Sequence, residues 1–186
     1  EFRRVLFRSY QVETYDSADG FLRMLDPSRQ GCVVADVRMP GMDGIDLVRE
    51  LARRGIPLPV VLISGHADVP MAVAAIKAGA EDFIEKPVDD VQLVAAINRG
   101  LARAYAQQRA QEKTQDLRAC FERLTPREVE VFDLVVSGYT SEIIGARLGI
   151  STRTVEGYRV QIMDKMRAES IAVLVRQAFR LDRLAP

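Results

Sequence analysis

The sequence predicts two domains in series, an α/β domain with a parallel sheet followed by an all-α domain. Before residue 100, short apolar runs bounded by turn residues alternate with amphipathic helical patterns, which is typical of βαβ units. After residue 120 the apolar spacing is helical throughout, with Gly, Ser and Thr at the ends of each segment. At 186 residues, the chain is long enough for each domain to bury a core.

The α/β domain is predicted at residues 10–103. Residues 1–9 precede it; they fit neither a clean helix nor an alternating strand and look foreign to the rest of the chain. The predicted elements are a strand at Tyr10–Asp16, a helix capped by Ser17 that runs to Leu25, a strand at Cys32–Asp36, a helix ending at Gly55, a strand at Pro59–Ile63, a helix at Val69–Ala78 closed by Gly79, a strand at Asp82–Glu85, and a helix from Asp89 onward.

A helical linker at residues 104–120 and an all-α domain at residues 121–186 are predicted next. Leu101–Leu124 lacks Gly and Pro, so the linker either continues the preceding helix or restarts within it. Thr125 and Glu128 form a capping box at the start of the first of four helices. The tight Gly-containing connection between the middle two predicts a helix-turn-helix motif spanning Ser141 to Val160.

Composition is that of an ordinary globular protein, with 48% hydrophobic and 28% charged residues. Acidic residues outnumber basic ones in the α/β domain, and the later part is slightly basic. This distribution suits a metal-binding domain joined to a nucleic-acid binder. Cys32 and Cys120 show neither disulfide nor zinc spacing. With no apolar run long enough for a membrane and no signal peptide, we expect a cytoplasmic protein.

Three polar residues, Asp36, Ser64 and Lys86, end three successive predicted strands. The carboxyl ends of parallel strands share one edge of a sheet, so these side chains can converge there. A carboxylate can attack a phosphoryl group, a hydroxyl can hydrogen-bond it, and an ammonium can neutralise its charge. The pattern predicts a phosphoryl site at which Mg²⁺ would bridge carboxylate and phosphoryl oxygens.

The segments around these residues are D-V-R-M-P-G-M-D-G from Asp36, I-S-G-H-A-D from Ile63 and E-K-P from Glu85. They resemble the signature segments of two-component response-regulator receiver domains, and the resemblance implies a flavodoxin-like α/β fold. It further implies the following roles: Asp36 as phosphoacceptor, Ser64 and Lys86 as contacts of the phosphoryl group, Phe83 as the switch aromatic, and Asp36 with the Arg38 backbone carbonyl as Mg²⁺ ligands.

One part of the receiver pattern is absent from this sequence. Receivers carry two adjacent acids after a first strand, and this acidic pair holds the magnesium. Residues 1–9 contain no such pair, and the first strand is expected to be missing with it. Because Mg²⁺ relies on carboxylates in addition to phosphate and water, we expect Asp36 to bind the metal poorly and to be phosphorylated slowly or not at all.

The all-α domain resembles the LuxR-type helix-turn-helix of NarL/FixJ response regulators, with a closer likeness to the FixJ-like members. The segments that carry the resemblance are L-T-P-R-E-V-E-V from Leu124, G-A-R-L-G-I-S-T-R-T-V-E from Gly145 and I-M-D-K-M from Ile162. A recognition helix at Thr152–Met166 would enter the major groove of double-stranded DNA. Candidate contacts are Arg153, Thr154 and Lys165 to phosphates, and Glu156, Tyr158 and Arg159 to bases or backbone.

The resemblance implies a transcriptional regulator with a sensor histidine kinase as partner, which forms a homodimer when Asp36 is phosphorylated. Two other functions compete with this one. A phosphorylation-independent DNA binder with a degenerate receiver scaffold stays open because the acidic pair is absent. An aspartyl-phosphate hydrolase would need a second acid two residues after the nucleophile, where this chain has Arg38. The sequence therefore does not predict an enzyme.

Overall fold

The computed structural model describes residues 10–66 and 68–184, and the chain divides into two compact units, Glu1–Gln107 and Gln108–Pro186. The prediction for residues 1–9 falls outside the described residues. In chain order the elements are α1 (Ala18–Met24), β1 (Val33–Asp36), α2 (Gly44–Arg53), β2 (Val60–Ser64), α3 (Val69–Ala78), β3 (Asp82–Glu85), α4 (Asp90–Glu122), α5 (Pro126–Val136), α6 (Ser141–Leu148), α7 (Thr152–Lys165) and α8 (Ile171–Arg180).

The first unit contains a parallel sheet in the order β1-β2-β3. Successive strand residues point to opposite faces, so Val60 and Leu62 join the cluster formed with α2 and α3, whereas Val61 packs with Leu93 of α4. Both faces of the sheet are therefore covered by helices, as expected for parallel strands. This confirms the predicted α/β class, and it leaves the carboxyl edge of the sheet as the place where polar groups can gather.

The predicted strand at Tyr10–Asp16 is not part of this sheet. Alternation of apolar and polar residues favours an extended chain, but a strand also needs a neighbour with which to exchange backbone hydrogen bonds. In the part of the chain that the structure describes, β1 pairs only with β2. Tyr10 instead packs beside the α4 cluster, and its hydroxyl donates to Asn98 Oδ1 at 2.8 Å.

The linker continues α4 without a break, which decides between the two possibilities left open by the sequence. Polar caps begin the helices of the second unit: Thr125 and Glu128 form the predicted capping box, and Thr140, Ser151 and Ser170 cap the next three. A core that includes Phe132, Ile144, Val155, Ile162 and Leu174 joins these helices. Within residues 10–66 and 68–184, no helix has both the length and the apolar character needed to cross a membrane.

Both cysteines are free thiols with packing roles. Cys120 is buried in the core of the second unit, and Cys32 packs at the margin of the cluster between the sheet and α4. Burial and, secondarily, the nearby charge of Glu81 raise the pKa of Cys32 to about 12. Its thiol is therefore protonated and unreactive at neutral pH.

Replacing Gly44 with alanine is expected to destabilise the first unit by about 1–3 kcal/mol, the usual cost of overpacking. A Cβ at Gly44 would lie 2.5 Å from the Asp36 carbonyl oxygen and 2.8 Å from Leu62 Cδ2, both on the sheet beneath α2. Urea unfolding of the full chain measures the effect. Gly31→Ala is the matched control, because a Cβ there meets nothing within 4 Å. Equal stability of the two variants would contradict the prediction.

Candidate functional site

The structure brings Asp36 and Lys86 together at the carboxyl edge of the sheet. Lys86 Nζ donates to Asp36 Oδ2 at 2.5 Å, and the Arg38 backbone N–H donates to Asp36 Oδ1 at 3.0 Å. The backbone hydrogen bonds between β2 and β3 fix the position of Lys86, because the Lys86 N–H donates to the Ser64 carbonyl oxygen immediately after β3. The Asp36 side chain remains 31% exposed. A carboxylate open to solvent and an ammonium in contact with it are placed to receive a dianionic phosphoryl group.

Ser64 ends β2 as predicted, but its hydroxyl does not contact Asp36. The residue is fully buried, and Ser64 Oγ donates to the His66 carbonyl at 3.0 Å and accepts from the His66 N–H at 3.2 Å. Met71 Sδ lies 3.7 Å from the same hydroxyl. Phe83, on the neighbouring strand, is partly buried against the α2 and α3 cluster. The peptide bond between Lys86 and Pro87 is cis.

The described residues do not by themselves fit a resident magnesium ion. Within residues 10–66 and 68–184, no three His, Cys, Asp or Glu side chains come together to hold a metal. Asp36 already accepts from Lys86 and from the Arg38 N–H, and Asp43 serves as the N-cap of α2. The groups that these residues supply at the site are therefore the Asp36 carboxylate and the Lys86 ammonium.

In the second unit, α6 and α7 form the helix-turn-helix. Gly149 ends α6 with a left-handed backbone, φ 66°, which side chains other than glycine rarely adopt. Ser151 then caps α7 by accepting from the Thr154 N–H at 3.1 Å. Val155 and Ile162 of α7 are fully buried. The opposite face of α7 is exposed, and it includes Arg153, Glu156, Gly157, Val160, Gln161 and Asp164.

The predicted DNA contacts fall into two groups by environment. Arg153 and Thr154 are exposed in the first turn of α7, where helix N-termini favour anions. Glu156 is also exposed, whereas Tyr158 and Arg159 are partly buried and Tyr158 packs against the core. A Cβ added at Gly157 would meet no atom within 4 Å, so the fold itself does not require a glycine there.

Lys165 lies in a different place from the other candidates. Its Nζ donates to both carboxylate oxygens of Glu128, at 2.8 and 2.6 Å. Glu128 is only 2% exposed and also accepts from the Thr125 N–H. Burial by itself raises the pKa of Glu128, but the hydrogen bonds from Lys165 and Thr125 outweigh it and leave that pKa below its usual value. The ion pair joins the start of α5 to the end of α7.

Two features of this site were not predicted from the sequence. The pairing of Lys165 with Glu128 is one of them, because the two residues are 37 positions apart in the chain. A glutamate buried beside an apolar core needs a cation or a hydrogen-bond donor, but this rule does not say which residue supplies it. The sequence pattern indicates Ser141 only as the start of a helix. Its hydroxyl contacts both Glu156 and Arg159 of the recognition helix, and no local spacing rule reveals a contact of that kind.

Comparison with known proteins agrees with both units. Residues 3–98 match the response regulator receiver domain family, and residues 122–178 match the bacterial regulatory proteins of the luxR family. The transcriptional regulatory protein FixJ of Bradyrhizobium diazoefficiens is 41% identical over 175 residues, which are 94% of this chain and 85% of that protein.

Solved structures give the same result. The response regulator StyR is 38% identical with a TM-score of 0.85, over 96% of this chain and 90% of that one. Full-length FixJ from B. japonicum is 39% identical with a TM-score of 0.56, over 98% of this chain and 91% of that one.

A strand-end carboxylate in contact with a lysine, followed in the chain by a helix-turn-helix, is the arrangement expected of a response regulator that binds DNA. The chain belongs to the response regulators that join a receiver domain to a LuxR-type DNA-binding domain. It is a DNA-binding transcriptional regulator of a two-component system, and its family is one of transcription regulators and not of enzymes.

Proposed function

We propose that Asp36 is the residue at which this regulator is phosphorylated, with a sensor histidine kinase as the donor. The observation that carries the proposal is the contact of Lys86 Nζ with the Asp36 carboxylate at the sheet edge. An Asp36 oxygen attacks the phosphorus while the bond to the donor's leaving group breaks. Lys86 neutralises the added negative charge, and Ser64 Oγ turns from His66 to a phosphoryl oxygen.

Double-stranded DNA is the proposed ligand of the second unit. The exposed face of α7 would enter the major groove, with Arg153 and Thr154 on phosphates and Glu156 and Arg159 near base edges. Tyr158 and Lys165 stay candidates for backbone contact, although Tyr158 packs against the core and Lys165 is held by Glu128. The helix-turn-helix motif is proposed to span Ser141 to Val160.

A homodimer is proposed as the active form, with α3 in its interface. Three apolar side chains of α3 lie on one helical face and are exposed to solvent: Val69 at 76%, Val73 at 45% and Ile76 at 52%. Apolar side chains at this spacing form a continuous ridge. A shift of Ser64 beside Met71 of the same helix would move this ridge, which links phosphorylation to association.

A phosphorylation-independent DNA binder is the second candidate. This candidate is favoured by the lack of metal ligands around Asp36, since within residues 10–66 and 68–184 no cluster of three metal-ligating side chains includes it. Phosphorylation of an aspartate depends on such a metal site. In that case the ion pair of Asp36 and Lys86 would be a permanent part of the scaffold. Both candidates share the DNA-binding surface, so DNA affinity alone does not separate them.

The experiment compares DNA binding of the full chain before and after prolonged incubation with acetyl phosphate and Mg²⁺, because Asp36 is expected to be phosphorylated slowly. A duplex enriched from a random pool by the chain serves as the probe. We expect acetyl phosphate to raise affinity by about tenfold, within the usual range of coupling between two sites, and the Asp36→Asn variant not to respond. Equal binding by both proteins under both conditions would overturn the phosphorylation proposal and support the second candidate.

A further inference from the structure

Ser141 connects two side chains of the recognition helix through a single hydroxyl. Ser141 Oγ donates to Glu156 Oε1, and it accepts from Arg159 Nη1 at 3.2 Å. Glu156 and Arg159 are three residues apart on α7 and so are neighbours on its surface. An acid and a base on the proposed DNA-facing surface are thus both tied to one residue of α6.

Ser141 has a fixed position from which it can restrict the side chains of Glu156 and Arg159. It is the first residue of α6, it is only 9% exposed, and the N-cap Thr140 fixes the backbone beside it. A hydroxyl can donate one hydrogen bond and accept another at the same time, which is the use made of it here. Glu156, by contrast, is a long exposed side chain that would sample many rotamers without such a partner.

We infer that Ser141 is a positioning residue for base recognition, which orients Glu156 and Arg159 toward the edges of a C·G base pair. A carboxylate accepts from the cytosine N4 amino group, and a guanidinium donates to guanine O6 and N7. Without a partner, the Glu156 side chain would sample several rotamers. The hydrogen bond from Ser141 holds its carboxylate in one orientation, in which it can accept from the cytosine amino group. The inference rests on the proposed DNA-binding function.

The test is selection of bound duplexes from a random pool by the full chain and its variants. We expect Ser141→Ala to weaken the preference at one or two base pairs by about tenfold, in the range of one bidentate base contact. Glu156→Gln should weaken the same positions, and the double variant should lose no more than the stronger single variant, because the two residues act as a unit. Ser141→Thr, which keeps the hydroxyl, should retain the preference.

A structural role for Ser141 alone would give different results. If Ser141 only stabilised the fold, Ser141→Ala would lower the affinity for a fixed duplex of arbitrary sequence and weaken the salt dependence of that affinity. Because we assign Ser141 to base recognition, we expect both quantities to stay unchanged. Ser137→Ala is the matched control, since it also removes a serine hydroxyl, one bonded to the Asp133 carbonyl. If Ser141→Ala does not fold, two variants still test the inference. Glu156→Gln should show at which base pairs the preference weakens, and Ser141→Thr should retain the wild-type preference at those base pairs.

The outcomes separate the positioning role of Ser141 from the DNA-binding function on which it depends. If the wild-type chain enriches no sequence and binds no duplex, the proposed DNA-binding function is overturned together with the inference. If the wild type enriches a motif and Ser141→Ala enriches the same motif equally strongly, only the positioning role of Ser141 is overturned. Loss of preference by Glu156→Gln at positions unaffected by Ser141→Ala would overturn it as well.

Discussion

Replacing Asp36 with asparagine is expected to abolish labelling of the chain by acetyl phosphate. The amide of asparagine is not a nucleophile toward phosphorus, whereas the Asp36 carboxylate attacks it as acetate leaves. Intact mass spectrometry detects the added phosphoryl group. The effect should be complete, because no other carboxylate at this edge contacts the Lys86 ammonium in the described residues.

Asp43→Asn is the matched control for this substitution. It removes a charge from the same loop region, and asparagine caps helices as well as aspartate does, so α2 should keep its N-cap. Labelling of Asp43→Asn at the wild-type rate is expected. Labelling of Asp36→Asn would place the phosphoacceptor elsewhere, and an unlabelled wild type would favour the scaffold role of the receiver.

Replacing Glu128 with alanine is expected to lower the free energy of unfolding of the second unit by about 2–3 kcal/mol. This loss is smaller than is usual for breaking a buried ion pair, because the Lys165 ammonium left without its partner can reach water. Lys165 is 28% exposed and Glu128 only 2%. The change removes a capping box along with the ion pair. Urea unfolding of the full chain at neutral pH measures the effect.

Glu130→Ala provides the control, since this neighbouring glutamate forms an exposed ion pair with Arg127 and such pairs contribute at most about 1 kcal/mol. Adding Lys165→Met to Glu128→Ala should restore part of the loss by removing the unpaired cation. A Glu128→Ala protein as stable as Glu130→Ala would show that the buried pair contributes little.

Acid should remove the same stabilisation in the wild type. The pKa of Glu128 in the folded chain lies below its usual value of 4.5, so its contribution is fully present above about pH 4.5 and is lost as pH falls through the folded-state pKa. Glu128→Ala should lack this part of the acid sensitivity. Unfolding curves of both proteins at neutral pH and below pH 4.5 make the comparison.

Local signals predicted most of the fold. The caps Ser17 and Thr125 act on neighbouring backbone groups, so their chemistry is visible within a few residues of sequence. The strand ends Asp36 and Lys86 were predicted to meet because parallel topology brings carboxyl ends to one edge. The structure confirms that contact.

Contacts that depend on side-chain rotamers or on packing between distant elements were not predictable in the same way. The bond of Ser64 to its own loop, the pairing of Lys165 with Glu128 and the bridge from Ser141 to Glu156 all depend on side-chain rotamers or on packing across the fold. Periodicity indicates which face a residue occupies but not which group it finds there. The strand expected at Tyr10–Asp16 failed for a related reason, since pairing depends on a neighbour that the segment's own pattern does not reveal.

The hydrogen bonds of Ser64 set the energetic scale of the proposed switch. Its hydroxyl already has a partner in the His66 carbonyl, so a phosphoryl oxygen at Asp36 would replace one acceptor with another. The free energy that drives rearrangement is then the difference between a bond to a charged acceptor and a bond to a neutral one, about 1 kcal/mol. Two conformers so closely balanced would shift in population after modest changes at His66 or Met71, residues that need never touch the phosphoryl group.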